Sequence, residues 1–115
     1  MKGDGKQMAN NDKVPELSKN EFDEFIGKGI VVIDFFAEWC MPCLMMAPVI
    51  DELSEKFKGK IKFGKINVDD NQQLAGKFGV SSIPNFIVFK DGEKIKQFVG
   101  GISSEDFEER LREFL

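Results

Sequence analysis

The sequence contains no histidine. That absence removes the commonest general base near neutral pH and the commonest transition-metal ligand together, so any chemistry falls to Cys, Asp, Glu or Lys. Cysteine is scarce too. The two present, Cys40 and Cys43, are too few for a disulfide scaffold. With no third Cys and no His they cannot close a tetrahedral zinc site within one chain, and a metal would need carboxylates or a dimer. Excess positive charge is also missing: 16 Lys and Arg stand against 20 Asp and Glu, a formal net charge of −4. Such a chain has no field to concentrate phosphate backbones, and nucleic acid is not an expected partner. No apolar run reaches the length of a membrane span, and the opening MKGDGKQMANNDK lacks the apolar core of a signal peptide. The expected location is the cytoplasm, without membrane attachment. There structural disulfides rarely persist, so two cysteines three positions apart need a chemical explanation.

What is present suits one α/β domain. The chain has 115 residues, 42% hydrophobic and 31% charged, and twelve Phe supply bulky core material. Residues 1–13 are polar and cannot repay the entropy of ordering, so they are expected to be a flexible tail before a domain over 14–115. Val14 to Leu17 reads as a short edge strand that tolerates Pro15. Ser18 and Glu21 form a capping-box pattern, followed by Phe22, Phe25 and Ile26 on one helical face until Gly27 and Gly29 stop it. The nearly continuous apolar run Ile30 to Phe36 predicts a strand buried on both faces. Met46, Ile50, Leu53 and Phe57 share a helical face, with Met45 and Met46 read as core filler, a kink expected at Pro48 and an end at Gly59. A strand over 61–68, a short helix over 72–78 and a strand over 86–89 follow. Asp91-Gly92 turns the chain into an antiparallel partner over 94–99 whose lysines form a solvated face. Ser103 or Ser104 caps a last helix that places Phe107, Leu111, Phe114 and Leu115 on one face. This order predicts a mixed sheet of four to five strands with helices on both faces.

Cys40-Met41-Pro42-Cys43 falls where the best strand hands over to a helix. Free amide N–H groups and the positive end of the helix macrodipole lower a thiol pKa there, from ~8.5 towards ~7 or below. Cys40 is the candidate nucleophile. Cys43, one turn in and expected to be less exposed, is suited to attack the mixed disulfide on Cys40. Pro42 has no N–H to waste in the first turn and fixes φ. Asp34, an acid within an apolar strand, is costly when ionised, so desolvation should raise its pKa into a range useful for acid–base work.

Trp39-Cys40-Met41-Pro42-Cys43, the strand Val32-Ile33-Asp34-Phe35 before it, Ile83-Pro84, and Val99-Gly100-Gly101 occur in the order found in the thioredoxin family, which the chain resembles from about Leu17 to Leu115. The resemblance implies a thioredoxin fold and a protein-disulfide reductase that needs no bound cofactor or metal. In it Cys40 attacks and Cys43 resolves. Pro84 would be cis and face the sulfurs, while Trp39, Met41, Pro42, Ile83, Pro84, Val99 and Gly100 would line an apolar groove for extended polypeptides. Asp34 would move the proton of Cys43 through water, with Lys65 beside it partly opposing the raised pKa by charge attraction. The implied partners are disulfide-containing client proteins and a reductase that recharges a monomeric carrier.

Three positions depart from the family pattern: Met41 replaces the usual Gly, Leu44 a common Lys, and Ser82 a frequent Gly. Residues beside the cysteines tune thiolate stability, so the redox potential does not carry over, and an oxidase or isomerase poise remains an alternative. Met41 is expected to widen the apolar contact. Two other classes stay open on the residues alone: an adaptor that grips partners with its cysteines idle, and a dimeric metal or iron–sulfur carrier.

Overall fold

The computed structural model describes residues 14–115, so the tail expected over 1–13 lies outside the described residues. The chain runs α1 (Lys19–Ile26), β1 (Ile30–Phe36), α2 (Met41–Lys56), β2 (Ile61–Asn67), α3 (Gln72–Lys77), β3 (Asn85–Lys90), β4 (Glu93–Val99) and α4 (Ser104–Arg112). The four strands form one sheet in the order β2-β1-β3-β4, with β1 parallel to β2 and antiparallel to β3, and β4 antiparallel to β3.

The interior place of β1 explains its composition. Paired on both edges and covered on both faces, it buries every residue from Val31 to Phe35. Its alternation divides the core in two. Val32 joins Met46, Ile50 and Leu53 of α2, Phe57 just past its end, Phe107 and Leu111 of α4, and Phe86 and Val88 of β3 on one face. Val31, Ile33 and Phe35 join Phe22 and Ile26 of α1, Ala75 of α3, and Ile87 and Phe89 of β3 on the other. Helices thus cover both faces, and period two puts Asp34 on the α2 side.

Local chemistry sets the element ends. The Ser18 N–H donates to Glu21 Oε1 at 2.8 Å, the return half of a capping box. Asp91 and Gly92 both hold positive φ, 49° and 91°, the hairpin-turn geometry whose twist matches the flanking strands. Gly64 lies within β2 because a Cβ there would come 2.9 Å from Leu17 Cδ1 and from Phe25 Cε2.

Three expectations need correction. The Val14–Leu17 strand is reduced to one parallel bridge, Glu16 to Lys65, made by Leu17 N–H to Lys65 O at 2.8 Å and Lys65 N–H to Pro15 O at 2.9 Å. Pro15 lacks the N–H needed to extend it. Met45 is not core filler: Met46 shares the buried stripe with Ile50 and Leu53, whereas Met45 is one residue, about 100°, around the helix and exposed. Leu115 lies past the end of α4 and is exposed, so the buried face there is Phe107 and Leu111, with Phe114 half-buried against it. Helix α2 runs through Pro48 as one element.

Candidate functional site

The end of β1 delivers the chain into a tight turn closed by Cys40 N–H to Ala37 O at 3.2 Å. Cys40 is the N-cap of α2, with extended backbone at φ −89° and ψ 104°. A cap normally satisfies a first-turn N–H with a side-chain oxygen. Here sulfur does it: the Cys43 N–H donates to Cys40 Sγ at 3.2 Å, and the Leu44 N–H to the Cys40 carbonyl at 3.1 Å. Pro42 takes a first-turn position where no N–H is required. Cys40 and Cys43 are joined as a disulfide with Cα atoms 5.3 Å apart. Their burial does not separate them: Cys40 is 4% and Cys43 6% exposed, so the expected lower exposure of Cys43 is not found in the disulfide form. Both carry one side of the turn, under Phe36, Val68 and Ile83.

Asp34 lies in β1 beneath α2, opposite Lys65 in the parallel register of β2. Both are buried. Asp34 Oδ1 has no hydrogen-bond partner among the described residues. Burial pushes the Asp34 carboxyl up against the opposing pull of the Lys65 charge, and the balance leaves it raised from 3.8 to about 7. The Lys65 ammonium sits 5.3 Å from the centre of the Phe36 ring.

The Ile83–Pro84 peptide bond is cis. The Pro84 carbonyl accepts the Gly100 N–H at 2.8 Å, which ties this loop to the end of β4. Ile83 packs against the cysteine cluster. Trp39 and Val99 are 71% and 61% exposed, Met41 and Pro42 are exposed, Gly100 is half-buried and Pro84 is buried. The Pro84–Gly100 hydrogen bond and the pairing of Asn85 with Val99 bring Ile83, Pro84, Val99 and Gly100 together, with Ile83 against the cysteines, and Trp39, Met41 and Pro42 flank the sulfurs in sequence.

Sequence reasoning missed the polar supports. Trp39 Nε1–H donates to Asp69 Oδ2 at 2.8 Å, and Asn67 Oδ1 accepts the Asp69 N–H at 2.9 Å. Asn85 Nδ2 donates to the Ser82 carbonyl at 3.1 Å, while Asn85 Oδ1 accepts from Gln97 Nε2 at 2.9 Å, bracing the cis-proline loop from β4. The available signal was an asparagine closing β2 and another opening β3, because a buried amide needs partners nearby. No cluster of three or more His, Cys, Asp or Glu is placed to hold a metal among the described residues, and no helix among them is long and apolar enough to cross a membrane.

A thioredoxin family model matches residues 13–113. The chain is 41% identical over 102 residues to thioredoxin of Bacillus subtilis and 43% identical over 102 residues to thioredoxin of Staphylococcus haemolyticus, covering 89% of this chain and 98% of each relative. Among solved structures, a mutant thioredoxin from Halobacterium salinarum superposes with a TM-score of 0.80 at 31% identity, covering 89% of this chain and 91% of that one. With a linked Cys-x-x-Cys at the tip of α2 and a family match across nearly every described residue, this chain belongs to the thioredoxin family of protein-disulfide oxidoreductases.

Proposed function

We propose that the protein reduces disulfides of cytoplasmic client proteins as a monomeric carrier, with Cys40 as nucleophile and Cys43 as resolving thiol. The Cys40 thiolate attacks one sulfur of the substrate disulfide. A mixed disulfide to Cys40 forms, and the other substrate sulfur leaves as a thiolate that takes up a proton. Cys43 loses its proton, attacks Cys40 Sγ and expels the second substrate thiol, leaving Cys40–Cys43 oxidised and the substrate reduced by two electrons. A reductase returns the two electrons.

The observation that carries this reading is the Cys43 N–H aimed at Cys40 Sγ at 3.2 Å. A donor fixed on sulfur at the positive end of a helix stabilises a thiolate more than a thiol, which favours Cys40 as both attacking and leaving group. Asp34 is the proposed acceptor for the Cys43 proton: with its carboxyl at about 7, it is present in both protonation states at neutral pH. Lys65 holds that value below what burial alone would give. Trp39, Met41, Pro42, Ile83, Pro84, Val99 and Gly100 form the proposed docking surface, where apolar contact seats the polypeptide around its disulfide.

Trapping tests the assignment. Cys43→Ser, reduced and mixed with an oxidised client protein, should accumulate a mixed disulfide through Cys40 that mass spectrometry locates, whereas Cys40→Ser should accumulate none. The reverse pattern would overturn the roles.

A further inference from the structure

The first ten residues of α2, positions 41–50, carry no charge; Asp51 is the first. Helix positions 43, 46 and 50 face the core, and besides Pro42 the exposed residues are Met41, Leu44, Met45 and Pro48. Their spacing, i, i+3, i+4 and i+7, places them on one face of the helix. Met41, Leu44 and Met45 are 64%, 46% and 71% exposed, a costly arrangement if nothing apolar ever meets them. Helical side chains lean towards the N-terminus, so this face tilts towards the disulfide.

We propose that this outer face of α2 is a specificity strip, continuous with the disulfide, that selects substrates carrying aliphatic or aromatic side chains within about three residues of the cysteine that Cys40 attacks. The proposal rests on the exchange reaction described above. From position 41 to 48 the strip is about 10 Å long, the reach of roughly three residues of extended chain. Its chemistry sets the class: two thioethers adapt to side chains of different shape, while a charged substrate residue would be desolvated against a surface with no counter-charge from 41 to 50. A second copy of the chain is a poorer fit, since four side chains fall well short of the roughly 800 Å² per partner of a stable interface.

The test compares second-order rate constants for the pre-reduced protein with two peptides, each joined through one cysteine to the same small thiol. The peptides differ only in the three residues on each side of that cysteine, Leu and Val in one, Ser and Gln in the other. The parent should react faster with the apolar peptide. Leu44→Gln with Met45→Gln keeps helix-forming residues at both positions and should lower the ratio of the two rate constants about fivefold, the loss expected when two apolar contacts are removed. An unchanged ratio overturns the strip. So does a parallel fall in both constants, which would locate the damage in the sulfur chemistry. A parent that sediments as a dimer and a variant that sediments as a monomer would assign the face to a second copy and overturn it too. A parent that reduces neither peptide nor glutathione disulfide would instead remove the exchange reaction itself.

Discussion

Asp34 is the residue at which burial and chemistry conflict most directly. Its carboxyl sits at about 7 in the folded protein against 3.8 for an exposed one. Between those values the folded chain retains a proton that the unfolded chain has released, so stability is full below about pH 4 and declines as pH rises through 7. At 1.36 kcal/mol per pH unit, the decline amounts to as much as about 4 kcal/mol. Asp34→Asn removes the titration. In its oxidised form this variant should gain up to about 4 kcal/mol over the parent at pH 8 in urea unfolding, and the gain should vanish near pH 3. A gain independent of pH would mean that shape, rather than charge, explains it. The acid was legible in the sequence because it interrupts a run of apolar residues. The Phe36 ring beneath the Lys65 ammonium was not, because that contact depends on the register of β1 and β2.

Elements were legible where a stop or cap has a local cause. Ser103 accepts the Asp106 N–H at 3.1 Å, as the capping pattern at the start of the last helix implied. Ser103→Ala should cost about 1 kcal/mol in urea unfolding, with no effect on exchange, and a loss near zero would mean that water caps the helix equally well. Asp91-Gly92 likewise marked its hairpin because both residues tolerate positive φ. Elements were less legible where tertiary pairing decides. Residues 14–17 read as a short edge strand, yet only one bridge forms beside β2. In α2 the apolar residues run nearly all round the first two turns, so composition could not tell the core-facing Met46 from the outward Met45. Only the 3.6-residue period separates them. That ambiguity has a functional side, because the exposed residues adjoin the disulfide.

At the scale of the whole molecule, a four-stranded sheet with β1 inside it and its parallel partner β2 at the edge carries Asp34 beneath α2 and aims the helix N-terminus at Cys40. The sequence announced the layers and their order. It did not announce how Asn85 and Gln97 brace the cis-proline loop, because residues twelve positions apart meet only once β3 and β4 are paired. The reactivity proposed for Cys40 is accordingly a property of the fold rather than of the Cys-x-x-Cys segment. The most direct measurement is the rate of alkylation of Cys40 at pH 7 in the reduced protein, folded and then unfolded in denaturant. A thiolate stabilised by the helix N-terminus is present in a larger fraction than in an unfolded chain, while the weaker nucleophile gives back part of the gain. Folded protein should therefore react about three- to tenfold faster than unfolded chain, with Cys40 modified before Cys43. Equal rates in the two states, or Cys43 modified first, would contradict the account.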